Sequence, residues 1–209
     1  MITLDIYSDP VCPWCFIGKA RLDRALESRP DHPFDIRWHP FQLNPDMPAG
    51  GMDRNEYMSL KFGDADAVLD AYRPVIDAAQ GAGLALDLPA ITRTPNTLDA
   101  HRLIHWAGLE GRQTAMVSIL FRAYFQQGRD IGDAATLLDL GQSVGLDRNL
   151  IARLLDSDAD RALIATADRD ARARGISGVP FFIVAQQYAI SGAQTVETWR
   201  NVIDEVGAR

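Results

Sequence analysis

Strand-type alternation is confined to the two ends of this 209-residue chain, and the long middle repeats with a helical period. At the N-terminal end Thr3 to Tyr7 alternate polar and apolar side chains, several of them β-branched or aromatic, until Ser8-Asp9-Pro10 stops the run. A helix follows: Pro13 suits its first turn, where a missing N–H has no partner to lose, and Ile17, Leu22, Ala25 and Leu26 share a face as far as Arg29-Pro30. Phe34 to Phe41 reads as a second strand, with Phe34, Ile36 and Trp38 alternating against Asp35, Arg37 and His39. A connection of helix length between two strands predicts a parallel pair joined by a right-handed crossover.

At the C-terminal end Val179 to Val184 and Tyr188 to Ile190, separated by Ala185-Gln186-Gln187, predict a hairpin closed by Ser191-Gly192. Val196, Trp199, Val202, Ile203 and Val206 then give a last helix one apolar face. Between the ends, from Asn44 to about Gly175, no alternating run stands out. Loop chemistry from Asn44 to Gly51 precedes a helix that Asp53 opens and that runs through Phe62. Asp64 to Gln80 predicts another, which Pro74 should end or kink. Apolar faces recur at Leu98 to Ala107, Met116 to Tyr124, Leu137 to Val144, Leu150 to Leu155 and Leu163 to Ala167, as a helical bundle requires. The expected class is therefore α/β in the order βαβ, helical block, ββα. Residues 1–44 and 175–209 form one domain in this reading, and 45–174 an inserted all-helical one.

The chemistry points to Cys12-Pro13-Trp14-Cys15, which falls where the first strand hands over to the first helix. These are the chain's two cysteines, too close together for a bridge between them to remove much chain entropy, so their role is reactive. At a helix N-terminus unpaired N–H groups and aligned peptide dipoles favour an anion, which lowers the thiol pKa of Cys12 and makes it the nucleophile. Cys15, almost one turn on, has its Cα within the roughly 4.4 to 6.8 Å that a disulfide spans, so it can resolve a mixed disulfide. The exposed first cysteine attacks, and the second displaces the product. A C-x-x-C pair is also half of a zinc site, but no second pair exists in the chain, and no metal is expected. His101 and His105 stand four apart without an H-E-x-x-H pattern and read as helix-surface or packing residues; His39 reads as a hydrogen-bonded structural histidine at a strand end. Pro180 sits in the third predicted strand, where it can donate no ladder hydrogen bond.

A formal net charge of -7 argues against a nucleic-acid surface. No run of 18 apolar residues offers a membrane span, and the first residues lack the cationic start and apolar stretch of a secretory signal, so a cytoplasmic location is expected.

Ser8-Asp9-Pro10-Val11-Cys12-Pro13-Trp14-Cys15 with Gly18-Lys19, the Asn96-Thr97 to His101-Arg102-Leu103 stretch, Gly178-Val179-Pro180-Phe181-Phe182 and Ser191-Gly192-Ala193-Gln194 together resemble DsbA-family thiol-disulfide oxidoreductases. The likeness is to the FrnE-like branch of the thioredoxin superfamily, which is also similar to 2-hydroxychromene-2-carboxylate isomerases. It spans nearly the whole chain. The resemblance implies a thioredoxin-like fold with a helical insertion and a cis Val179-Pro180 bond facing the cysteines. It makes Cys12, Cys15 and Pro180 the catalytic set, and Pro13, Trp14 and Val179 the substrate contacts, with the Val179 backbone groups free to pair with an extended substrate. It implies protein or small-molecule thiols and disulfides as partners, and no bound cofactor beyond glutathione as a redox co-substrate. The oligomeric state is not set, and a homodimer is compatible with it. Glutathione-dependent isomerases carry serine where this chain has Cys12 and usually an acid where it has Gln194. A serine cannot form a disulfide, so Cys12 favours dithiol exchange. A glutathione-dependent isomerase or transferase and a redox-sensing, chaperone-like binding module are the alternatives.

Overall fold

The computed structural model describes residues 1–208. Strand β1 (Ile2–Ser8) leads into helix α1 (Pro13–Glu27), and β2 (Phe34–Pro40) returns parallel to β1, in register from Ile2 opposite Phe34 to Ser8 opposite Pro40. The block that follows holds β3 (Met52–Asp53), α2 (Arg54–Phe62), α3 (Ala65–Gly81), β4 (Arg93–Thr94), α4 (Leu98–Leu109), α5 (Gln113–Gln127), α6 (Ala134–Ser143), α7 (Arg148–Leu155) and α8 (Arg161–Ala173). The hairpin β5 (Phe181–Val184) and β6 (Tyr188–Ser191) and helix α9 (Val196–Gly207) complete the chain. The main sheet has the order β2-β1-β5-β6, with β5 antiparallel to both its neighbours. This is the thioredoxin-like α/β architecture.

Side chains on successive strand residues point to opposite faces, and both faces of this sheet are used. Leu4, Ile6, Phe182 and Val184 enter a large apolar cluster with Phe16 and Leu22 of α1 and Trp199 and Ile203 of α9. Tyr7, Phe181 and Ile183 pack on the other face with Phe41, Ala171 and Ile176. The helical block joins the first cluster through α5: Phe16 stacks on Phe121 at 5.2 Å and on Phe125 at 5.8 Å between ring centroids.

Three expectations need correction. The middle is not wholly helical, because Met52 pairs with Thr94 and Asp53 with Arg93 as a two-residue antiparallel ladder, too short to show alternation. Pro74 does not end its helix: α3 runs on to Gly81, with Pro74 on its exposed side, where a carbonyl that loses its helical partner can bind water. The third strand begins at Phe181, after Pro180, so the missing proline N–H removes no ladder bond. Helix caps fall where short polar side chains predict them, with Asp53, Asp64, Asp133 and Asp147 each accepting from an N–H of the first turn.

Arg102 of α4 is fully buried and fastens the block internally. It donates to Asp99 at 2.8 Å and to the main-chain oxygens of Leu154, Ser157 and Ala159 at 2.6, 2.8 and 2.7 Å, taking up carbonyls at the end of α7. Among the described residues no helix is long and apolar enough to cross a membrane.

Candidate active site

Cys12 is the N-cap of α1, with extended backbone, and Pro13 occupies the first helical turn. The Cys12 N–H donates to the Asp9 carbonyl at 2.9 Å, and the Cys12 carbonyl accepts from Cys15 and Phe16 at 3.1 and 3.3 Å. The Cys12 side chain makes no cap, which leaves Sγ free to turn outward from the helix. It meets the far end of the chain there: Sγ donates to the Val179 carbonyl oxygen at 3.6 Å, across 167 positions. That carbonyl therefore faces the Cys12 thiol directly.

The expectation of an exposed Cys12 is also corrected, since only 3% of the residue and 1% of Cys15 reach the surface. Instead Cys12 forms part of the wall of a cavity of about 330 Å³, together with the three expected substrate contacts Pro13, Trp14 and Val179. Helices α2 and α3 close over it and contribute Arg54, Tyr57, Lys61 and Tyr72. Arg54 is held by donating to Thr94 at 3.0 Å and to the Tyr72 hydroxyl at 2.6 Å. Lys61 donates to the Tyr57 hydroxyl at 2.9 Å.

The Cys15 thiol is pushed well above its ordinary pKa, first by burial and then by the neighbouring Cys12, with contacts to Ser8 and Asp9 partly offsetting the rise. Cys15 is thus held as a thiol and screened from solvent. Asp9 is fully buried and accepts from the Leu43 N–H at 2.7 Å, fixing one wall of the cavity.

Pro180 is buried, follows a cis Val179-Pro180 bond, and lies against α1 rather than on the cavity wall. A Cβ at Gly18 would lie 3.1 Å from Pro180 Cγ and 3.4 Å from Ala193 Cα, so glycine permits this close approach. Gln194 donates to the Ser191 carbonyl at 2.6 Å and is not among the residues lining the cavity. His39 bonds Asp5 at 2.7 Å and stacks on Tyr7. His101 is buried, which excludes the helix-surface reading, whereas His105 is half-buried. Sequence reasoning did not single out Arg54, Tyr57, Lys61 and Tyr72. The first three, with Met58, recur at helical spacing on one face of α2, a signal present in the sequence but without meaning until that face had a neighbour.

A strand thus feeds a cysteine pair into a helix N-terminus, and a Val-Pro loop from the other half of the chain faces it. The chain belongs to the family of DSBA-like thioredoxin domains, which matches residues 3–204. It is 27% identical over 208 residues to the uncharacterized protein YwbO of Bacillus subtilis (strain 168), spanning 98% of this chain and 96% of that one. A probable DsbA oxidoreductase of Streptomyces coelicolor is 28% identical and superimposes with a TM-score of 0.87 over 100% of this chain and 91% of its own. The cytosolic disulfide reductase DsbM of Pseudomonas aeruginosa, solved with GSH, shares the fold at 22% identity, with a TM-score of 0.72 over 99% of this chain and 100% of its own. A 2-hydroxychromene-2-carboxylate isomerase shares it at 17% identity, with a TM-score of 0.74 over 98% and 96%.

Proposed function

We propose that this protein is a thiol-disulfide oxidoreductase or disulfide isomerase of the cytoplasm, in which Cys12 attacks a substrate disulfide and Cys15 resolves the mixed disulfide. The observation that carries this reading is the placement of both thiols in the first turn of α1, with Cys12 bordering a cavity and Cys15 sealed behind it. Cys12 is the thiol that borders the cavity, and the deeper thiol, less than one turn on, is placed to resolve a mixed disulfide without competing for substrate. Electrons balance: Cys12 thiolate takes one substrate sulfur and releases the other as thiolate, Cys15 thiolate then bonds Cys12 Sγ, and the second substrate thiolate leaves. The substrate is reduced by two electrons and the pair becomes a disulfide; run backwards, the same steps oxidise a dithiol.

The cavity volume, about 330 Å³, lies at the lower end of the roughly 300–1,000 Å³ of small-molecule sites, which favours low-molecular-weight disulfides or a single side chain of a protein substrate. Arg54 and Lys61 on its wall suit a carboxylate-bearing partner, and glutathione, with which the Pseudomonas reductase was solved, is the first to test. Insulin and oxidised glutathione reduction with Cys12→Ser and Cys15→Ser variants tests the reading. Cys12→Ser should lose all turnover, and Cys15→Ser should accumulate a Cys12 mixed disulfide visible by mass spectrometry. Full glutathione-dependent activity in Cys15→Ser would instead favour isomerase or transferase chemistry.

A further inference from the structure

Ser8 and Pro10 lead from β1 towards the cysteine pair, and they also border a second cavity, of about 370 Å³, which shares no lining residue with the one beside Cys12. Three of the chain's four histidines, His39, His101 and His105, gather on its wall together with Arg37. Among the described residues no Asp or Glu lines it, although the chain carries a net charge of -7. A wall of imidazoles and a guanidinium without a carboxylate attracts an anion and repels a cation.

These polar groups are held in place, and several keep capacity for a ligand. His39 Nε2 bonds Asp5 at 2.7 Å and its ring stacks on Tyr7. Arg37 donates through Nε and Nη2 to Asp35 at 2.9 and 2.7 Å, which leaves Nη1 outside that pair. His101 is 3% exposed, and its Nε2 makes no hydrogen bond, Asp9 standing 3.6 Å off. His105, one turn further along α4 and half-buried, has no hydrogen-bond partner among the described residues. Buried polar groups are normally satisfied, so open ones on a cavity wall mark positions for ligand atoms.

The rest of the wall is apolar and preformed. Gln113 donates to the Trp38 carbonyl at 3.0 Å and accepts from the Trp38 N–H at 2.9 Å, and Trp38 Nε1 donates to Thr114 at 3.0 Å, so α5 is fastened to β2. Ile104, Val117, Phe121 and Ile164 are buried around the cavity, whereas Leu109 and Leu163, 74% and 51% exposed, mark its mouth. An apolar pocket of this volume with a few polar groups is the ordinary form of a small-molecule site.

We propose that this cavity is a second ligand site, for a small carboxylate with an apolar body the size of one or two rings. The carboxylate pairs with His105 and Arg37, and the body lies among Val117, Phe121 and Ile164 with Leu109 and Leu163 over its outer edge. Such a ligand touches Ser8 and Pro10 but leaves the cavity beside Cys12 open, so it is separate from any disulfide substrate. The site does not depend on the thiol chemistry.

Calorimetric titration of the reduced protein with naphthalene-2-carboxylate tests this. Wild type should bind one equivalent with a Kd of about 0.1 mM, and the neutral isostere 2-naphthalenemethanol about tenfold more weakly, the difference that a charge-assisted hydrogen bond makes. His105→Leu should remove that preference and Arg37→Leu reduce it. Both should leave the affinity for the alcohol unchanged, which also shows that the variants are folded. Ala167→Phe, which fills the cavity, should abolish binding of both probes, and Ala71→Trp, which fills the one beside Cys12, should alter neither. No saturable binding up to about 1 mM would overturn the site, and equal affinity for the two probes would overturn its preference for an anion. Loss of binding in Ala71→Trp would place the probe beside Cys12 and overturn the separate site.

Discussion

Two cavities of similar size border the Ser8 to Trp14 segment, and their walls differ in kind. The one beside Cys12 carries a nucleophile, aromatic rings and two cations, supplied by α1, α2, α3 and the Val179 loop. The other carries Arg37, His39, His101 and His105, supplied by β2 and α4 with apolar walls from α5 and α8. The first brings a thiol and two cations together, the second three histidines and an arginine. The comparison teaches that a short strand-to-helix junction can face two chemically different cavities, because the helical block packs against it on both sides.

The largest expected effect removes the anchor of the α4 wall. Arg102→Met leaves Asp99 and three main-chain carbonyls without their buried donor and should cost about 3 kcal/mol, read from urea denaturation midpoints. If the two cavities are built independently, alkylation of Cys12 by iodoacetamide in the native state should be unchanged. Next come plugs. Ala71→Trp in the Cys12 cavity should slow attack on oxidised glutathione about a hundredfold, equivalent to about 2.7 kcal/mol, while Ala167→Phe in the histidine cavity, which holds neither cysteine, should spare it. Equal slowing of attack by the two plugs would break the distinction.

The smallest effect is a pH dependence carried by Tyr124, which lies within the electrostatic reach of Arg54 and of Asp9. Burial pushes its phenol up to about 12 from an ordinary 10.0. Because the unfolded chain ionises first, stability is intact below pH 10 and falls by up to roughly 2 kcal/mol as pH rises from about 10 to 12. The buried Cys15 thiol adds a loss of the same sign, beginning at its ordinary value of 9.0. Tyr124→Phe should flatten the upper part of this decline in urea denaturation across pH, after a loss of about 1 kcal/mol at neutral pH from the bond to the Arg93 carbonyl.

The sequence was most informative where structure is local. The parallel β1-β2 pair, the hairpin and the start of α1 at Pro13 follow from alternation and from proline chemistry, all readable over a few residues. The ladder of Met52 and Asp53 with Arg93 and Thr94 was not, because two residues carry no period. At the site, Cys12 and Cys15 announce themselves by spacing alone, and Val179 is drawn to them by the turn of the sheet. His101 could not be placed in the same way, because its partner Asp9 lies 92 positions away and only the packing of α4 against the junction makes them neighbours. The burial of Cys12 was equally hidden, since the lid over it comes from α2 and α3.

Arg102 also has an evolutionary consequence. In the stretch from Leu154 to Ala159 its guanidinium recognises carbonyl oxygens, never a side chain, so what it reads there is the path of the main chain and not its spelling. Substitutions along that segment can accumulate without loosening the grip, provided the backbone keeps its course. The burden of constancy falls instead on a single turn of α4, where the residue that clasps this loop is the immediate neighbour of the histidine facing Asp9.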